Sequence, residues 1–238
     1  MISMVLDADT SATRGIVMTD PSIAPARTPA EVDAIVDALD REAHAEIDRV
    51  FGHADASCMT CTRAILDTLD LFAVPARPLT VWATVTNAAY ERLLSPSEQR
   101  SVQELGLPRA WRAAGAFRID IGHPDDRAEA GDSGWPGHLV ALVDERLVLD
   151  IAIEMANAPA AGIALTSVII PVPPGWVAGE LELAGDVGTA TVRYCARPGV
   201  TTYTAHPHWT RPHPLALTTR IVSKVRRLTG LSLAVTAR

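Results

Sequence analysis

The chain has 238 residues, of which 48% are hydrophobic and 21% are charged, a composition typical of a folded globular protein and not of a disordered one. Its formal net charge of −7 comes from acidic residues scattered along the chain. Nucleic-acid and anionic-membrane surfaces both require a concentrated basic patch, so we expect no nucleic-acid partner and no membrane partner.

The N-terminus and the cysteines bear on the compartment in which the protein works. Asp7 and Asp9 stand where a secretion signal would need an apolar run. No apolar stretch approaches the roughly 20 residues that span a bilayer. Three cysteines cannot all pair with one another, so we expect free thiols in a reducing environment. Together these observations predict a cytoplasmic protein.

The first third of the chain is predicted to be an irregular arm followed by two helices. Residues 1–27 are polar and interrupted by proline, which indicates an arm outside the folded domain. The segment TPAE at 28–31 combines an N-cap, a first-turn proline and a capping acid, and the helical apolar spacing that follows ends at Gly52. A second helix is predicted over 57–72.

Strands dominate the prediction for the rest of the chain. They are expected in the segments RPLTVWATVTN, GAFRIDIGH, HLVALV, RLVLDIAI, GIALTSVIIPVPPGW and TATVRYCARPG. Between them we expect a helix over 88–106 that breaks at Pro96, a loop rich in Asp and Gly over 123–137, and a last helix over about 215–228. Helices come first and strands later, without strict alternation. This order predicts an α+β fold, with N-terminal helices packed on an antiparallel sheet in a single domain over 28–238.

Two cysteines three residues apart, Cys58 and Cys61, stand at the start of the predicted second helix. A thiol is nucleophilic as the thiolate, and the unpaired N–H groups of a helix N-terminus stabilise that anion. Cys58 falls in the first turn if Ser57 caps the helix, although Asp55 opposes the effect. Cys61 lies one turn deeper, where the apolar stripe begins. Cys58 is therefore the better candidate for a nucleophile, and two small core residues remain the alternative interpretation.

A nucleophilic thiol also needs an imidazole as base and a third group that orients the ring. His138 opens the predicted hairpin, and Asp150 lies on its second strand. A three-residue loop would pair Val143 with Leu147 and would make His138 and Asp150 diagonal neighbours on one face, whereas a two-residue loop would place them on opposite faces. Asp150 is the only charge in LVLDIAI, so it must be paired or else face water at a sheet edge.

These residues occur in a pattern that resembles the transglutaminase-like superfamily of cysteine enzymes, which has a papain-like Cys-His-Asp arrangement. In that family a cysteine opens a helix, and the arginine of a Gly-Ile-Pro-Ala-Arg element follows nineteen residues later. Here VPAR at 74–77 stands at that distance from Cys58. A strand then follows, matched by PLTVWATV, and after it a histidine at a strand start and an aspartate on the next strand, matched by His138 and Asp150. The resemblance covers about residues 57–153.

The resemblance implies a function and a role for each residue. Cys58 would be the nucleophile, His138 the general base and then acid, and Asp150 the group that fixes the imidazole tautomer. The reaction would be acyl transfer or hydrolysis at an amide or peptide bond through a Cys thioester, with a peptide, protein or small amide as substrate and with no metal or organic cofactor. Ala73 replaces the family's usual glycine, and LV at 139–140 replaces its usual Ala-Trp. Because the family includes members without activity, a catalytically silent binding domain is the alternative.

Two other chemistries remain open for the cysteine pair. Cys58-x-x-Cys61 also resembles a thioredoxin-type dithiol site, but that fold needs a strand leading directly into the motif, and helix and loop are predicted there. A zinc site could combine the pair with His206 and His208, although the ligand spacings fit no standard zinc finger. Trp135 either walls the site or belongs to the core.

Overall fold

The structure is a computed structural model, and it describes residues 26–52, 57–94, 107–122, 135, 137–179, 181–211 and 214–234. Most of the expected N-terminal arm, Asp55, the break at Pro96 and most of the expected loop rich in Asp and Gly lie outside these residues. The described helices are α1 (Pro29–Phe51), α2 (Cys58–Leu71), α3 (Ala88–Leu93), α4 (Arg109–Ala113), α5 (Pro207–Thr210) and α6 (Leu215–Thr229). The strands are β1 (Ala76–Asn87), β2 (Arg118–Ile121), β3 (His138–Val143), β4 (Leu147–Asp150), β5 (Val168–Pro171), β6 (Glu182–Val187) and β7 (Ala190–Ala196).

The two N-terminal helices begin and end where local signals predict. Thr28 caps α1 in a full capping box, because its side chain accepts from the Glu31 N–H and the Glu31 carboxylate accepts from the Thr28 N–H. Gly52 ends α1 with φ of 72°, a conformation that glycine adopts without strain. Ser57 caps α2, its side chain accepting from the Thr60 N–H at 3.3 Å.

Within the described residues, seven strands form one antiparallel sheet in the order β5-β4-β3-β1-β7-β6, with β2 also paired to β1. The long strand β1 is central: β3 pairs along its first half and β2 along its second half on one side, while β7 pairs on the other side. The two outermost strands approach each other, because a Cβ built at Gly185 of β6 would lie 2.9 Å from Cδ1 of Ile170 on β5. The sheet is therefore curved until it is nearly closed.

Each face of this sheet packs against its own apolar cluster. On the outer face α1, α2 and α6 cover β3 and β4 with a helix-side cluster that includes Ile35, Leu39, Cys61, Leu69, Ala141, Leu149 and Ile221. On the inner face an interior cluster includes Leu79, Val81, Val140, Leu142, Trp176, Val192 and Tyr194. The predicted α+β class, with helices packed on an antiparallel sheet, is confirmed.

The hairpin of β3 and β4 has the loop length on which the site prediction depends. Val143 pairs with Leu147, so three residues form the loop. Two of them, Asp144 and Glu145, have φ of 52° and 51°, in the left-handed region that short polar residues of tight turns adopt most readily. Because strand side chains alternate, this register directs His138 and Asp150 to the same, inner face.

Strand β4 ends at Asp150, although the sequence predicts that it continues through Ile153. The reason is local: Oδ1 of Asp150 accepts from the backbone N–H groups of Ala152 and Ile153, at 3.0 and 3.1 Å. These bonds turn the chain into a 3-10 helix over Ala152–Ala156. Asp150 therefore ends its own strand, and the chain leaves the sheet after it, at the edge of the candidate site.

Other differences from the sequence prediction lie further along the chain. Strand β5 occupies only residues 168–171 of the longer predicted segment, and the strand β6 was not predicted. The last helix matches its prediction within one residue at its end. Among the described residues, no helix combines the length and the apolar character that crossing a membrane requires.

Candidate active site

Cys58 is the first residue of α2, a helix of 14 residues whose N-cap is Ser57. Its thiol is free and partly exposed, and its Sγ lies 4.0 Å from the carbonyl oxygen of Gly137, just before β3. The helix is anchored on β3 by the Thr62 hydroxyl, which donates to the Leu139 carbonyl at 2.8 Å. The thiol therefore lies at the positive end of a helix dipole, directly beside the start of β3.

His138 is the first residue of β3 and pairs with Val81 of the central strand. The residue is buried, with 1% of its surface exposed, and its Nε2 lies 2.7 Å from Oδ2 of Asp150. The Cys58 thiol is close enough to the ring to act on its pKa. Because Nε2 faces Asp150, Nδ1 is the nitrogen that faces the thiol. The structure thus brings together all three residues that the sequence singled out.

Asp150 is 2% exposed, so it is not an acid that faces water at a sheet edge. Oδ1 accepts the two backbone N–H groups that end β4. Oδ2 accepts from Nε2 of His138 and from the Tyr194 hydroxyl, the latter at 2.9 Å. Four hydrogen bonds therefore satisfy the buried carboxylate and hold it in one orientation.

Tyr194 is the site residue that sequence reasoning missed. It lies on β7 with none of its surface exposed, and both burial and the neighbouring Asp150 raise the pKa of its hydroxyl well above the usual value. The alternation of Val192, Tyr194 and Ala196 in the sequence indicates a shared inward face. The alternation does not indicate which inward residue of β7 reaches Asp150, because that depends on pairing with a strand far away in the chain.

Burial and the neighbours of His138 act in opposite directions on its pKa. Burial disfavours the charged ring and lowers the pKa. The charge of Asp150 and its hydrogen bond raise the pKa, as does the hydrogen bond with Cys58, and together they bring it from 6.5 to about 10. The ring is therefore protonated at neutral pH, as one half of a buried ion pair with Asp150.

Cys61 lies in a different environment from Cys58. It is 1% exposed and belongs to the helix-side cluster between α2 and the sheet. Burial raises the pKa of its thiol well above the usual value, and the nearby Cys58 and Asp150 act in the same direction. Cys61 is therefore a neutral core thiol. The alternative interpretation, that the two cysteines are small core residues, holds for Cys61.

Arg77, which carries the motif of the resemblance, pairs with the hairpin loop. Its guanidinium makes a bidentate ion pair with Glu145 of the hairpin loop, at 2.6 and 3.0 Å, and this hydrogen bonding raises the pKa of Arg77. Both side chains are largely exposed, so the pair adds little stability. Its geometry ties the start of β1 to the loop between β3 and β4.

An aromatic cluster borders the thiol. Met59 and Leu139, the neighbours of Cys58 and His138 in the chain, pack with Tyr203 in a small buried cluster. Cys58, Trp135 and Trp209 pack against that cluster from its partly exposed side. Trp135 therefore lies beside the candidate site and not within the main core.

The two histidines of the TAHPHW segment also lie near the start of α2. Nδ1 of His208 is 3.2 Å from the Ser57 hydroxyl, and the rings of His206 and His208 are 5.1 Å apart. Cys61 is buried in the helix-side cluster. In the part of the chain that the structure describes, no three His, Cys, Asp or Glu side chains are arranged to hold a metal ion.

The comparisons with known proteins found no match: no family model, no curated protein and no solved structure matches this chain. The evidence for this candidate site is therefore its geometry. In that geometry a partly exposed thiol at a helix N-terminus contacts a buried imidazolium, which a fully hydrogen-bonded carboxylate holds.

Proposed function

We propose that the protein is a transglutaminase-like cysteine enzyme that breaks an amide or peptide bond through a thioester on Cys58. The observation that carries the proposal is the placement of the Cys58 thiol at a helix N-terminus beside the His138 ring, which is hydrogen-bonded to Asp150. Three separate elements supply these residues, namely α2, β3 and β4. A thiol beside an imidazolium, at a helix N-terminus, is the environment in which cysteine enzymes form their nucleophile.

Acylation follows from this arrangement. The thiolate form of Cys58 attacks the carbonyl carbon, a C–S bond forms, and the carbonyl electrons move onto oxygen. The Cys58 backbone N–H, at the first position of α2, lacks an intrahelical acceptor by its position and would donate to that oxyanion. His138 gives its Nδ1 proton to the amine as the C–N bond breaks, which leaves a thioester and a neutral ring.

Deacylation uses the same ring in the opposite sense. The neutral imidazole takes a proton from water or from an acceptor amine as that nucleophile attacks the thioester. The C–S bond then breaks, and the acid or the new amide leaves. Because the pKa of His138 lies near 10, the ring carries its proton before substrate arrives. We therefore propose that His138 acts as an acid first and as a base second, the reverse of the order that the resemblance implies, with Asp150 hydrogen-bonded to Nε2.

The experiment is brief alkylation with iodoacetamide near pH 7, followed by peptide mapping of the three cysteines. Cys58 is expected to react faster than Cys61 and Cys195, because its thiol is partly exposed beside His138, whereas burial raises the pKa of the other two thiols. His138→Gln and Asp150→Asn should slow labelling of Cys58. Cys195→Ala is the matched control and should leave that rate unchanged, because Cys195 faces neither the ring nor the carboxylate in the described contacts.

Two outcomes would contradict the proposal. Equal labelling of all three cysteines in the folded protein would favour a catalytically silent binding domain. A disulfide between Cys58 and Cys61 in mild oxidant, with all function lost in a folded Cys61→Ala variant, would favour a dithiol oxidoreductase.

A further inference from the structure

The indole ring of Trp135 contacts the glycine that precedes His138. A Cβ built at Gly137 would collide with carbons of that ring, so the indole rests on the backbone of Gly137. The carbonyl oxygen of the same glycine is 4.0 Å from Sγ of Cys58. The next residue is His138. Gly137 therefore contacts the Trp135 indole and the Cys58 thiol and is bonded to His138.

Two further aromatic rings extend this surface. The Tyr203 ring is 5.9 Å from that of Trp135 and 4.9 Å from that of Trp209, both in edge-to-face contact. We call these three residues the aromatic wall. Met59 and Leu139 lie buried beneath it. Trp135 and Trp209 remain partly exposed, so the wall presents ring surface to solvent next to the thiol.

Two of the polar groups around the wall are already paired within the protein. Nε1 of Trp135 donates to the Thr202 hydroxyl at 2.9 Å. Arg63 lies 5.9 Å from the centre of the Trp209 ring and donates to the backbone carbonyl oxygens of Trp209 and Arg211. The wall therefore offers mainly the carbon surface of its two partly exposed indole rings, because Tyr203 is only 8% exposed. The positive charge of Arg63, over the Trp209 ring, also disfavours a cationic ligand at this edge.

We propose that the aromatic wall is the subsite for an apolar or aromatic group attached next to the reacting carbonyl of the substrate. A cationic or polar group there would lose hydration and gain little, whereas an apolar ring gains contact with the partly exposed indole rings. The substrate class is accordingly an amide or peptide with an aromatic or large apolar substituent beside the bond that is broken. This inference rests on the proposed role of Cys58 as nucleophile.

The test compares iodoacetamide with three N-substituted iodoacetamides, which carry benzyl, 2-hydroxyethyl and 2-(trimethylammonio)ethyl groups. Rates of Cys58 alkylation are divided by the rates for glutathione, which removes differences in intrinsic reactivity. The benzyl reagent is expected to exceed the hydroxyethyl reagent by about three- to tenfold, the range of one aromatic contact. A normalised ratio near one would overturn the inference, and so would a preference for the trimethylammonio reagent, which would indicate a site for cations.

Variants then assign the preference to the wall. Trp135→Ala and Trp209→Ala should each reduce the benzyl-to-hydroxyethyl ratio, and the second serves if the first fails to fold. Trp111→Ala is the matched control, because Trp111 is also a tryptophan in edge-to-face contact with a tyrosine, 5.6 Å from Tyr90, but in a separate cluster. A ratio that stays high in both wall variants, or that falls equally in the control, would overturn the assignment.

The outcome separates this inference from the proposed function. If plain iodoacetamide labels Cys58 no faster than Cys195, the proposed nucleophile fails and the inference fails with it. If plain iodoacetamide labels Cys58 fast but the benzyl group brings no advantage, only the aromatic subsite fails.

Discussion

Removal of the Tyr194 hydroxyl tests how the buried carboxylate of Asp150 is stabilised. The hydroxyl donates to Oδ2 at 2.9 Å, and the same oxygen accepts from His138. Neither Tyr194 nor Asp150 has appreciable exposure, so water does not replace the lost donor. A hydrogen bond to a charged group contributes about 1.5–3 kcal/mol net. Tyr194→Phe keeps the ring and its packing, so we expect the free energy of unfolding to fall by about 2 kcal/mol.

Urea unfolding at pH 7, followed by circular dichroism, measures this difference, with the slope against urea unchanged if both proteins unfold in two states. Tyr203→Phe is the matched control, because the Tyr203 hydroxyl makes no hydrogen bond to the residues that the structure describes. Its effect should stay within about 0.5 kcal/mol. If Tyr194→Phe costs no more than the control, the Tyr194 hydroxyl does not stabilise the carboxylate and the reasoning is refuted.

The remaining predictions concern pH and the second cysteine. The pKa of His138 is raised from 6.5 to about 10, so the stability gained from its protonated ring is complete below pH 6.5 and is lost as the pH rises through 10. The free energy of unfolding should fall over that range more steeply in the parent protein than in His138→Gln, and parallel pH profiles would contradict this. Cys61→Ala should cost about 1 kcal/mol by urea unfolding, because it removes a small buried side chain. The same variant should leave the alkylation rate of Cys58 unchanged, and a large drop in that rate would contradict the assignment of Cys61 to the core.

The features that local signals encode were predictable from the sequence. The capping box at Thr28 and Glu31 and the stop at Gly52 depend on residues within a few positions of one another, and α1 follows them. The pairing of His138 with Asp150 was predictable for a similar reason. Because strand side chains alternate between the faces of a sheet, two residues of a hairpin lie either on the same face or on opposite faces. The length of the loop decides which, and here it has three residues.

Features that depend on distant pairing were not predictable. Strand β6 has the sequence ELAGDV, with few large apolar residues, and it is a strand because it pairs with β7 along six residues. Tyr194 reaches Asp150 only because β7 lies beside β1 in the register that the whole sheet imposes. The aromatic wall likewise combines segments near residues 135 and 203–209, which no sequence pattern connects.

The central position of β1 has a consequence for synthesis on the ribosome. β1 is made early, yet β7, the strand that pairs with one of its two edges, follows more than 100 residues later, as the pairing of Val81 with Ala196 shows. Until β7 emerges, one edge of β1 has unpaired backbone groups, and the Asp150 carboxylate lacks the tyrosine that completes its hydrogen bonds. A nascent chain therefore carries Cys58 long before the interior around its partners has closed. Folding of the site must wait for β7, and the exposed strand edge is the part of the growing chain that a chaperone would need to cover.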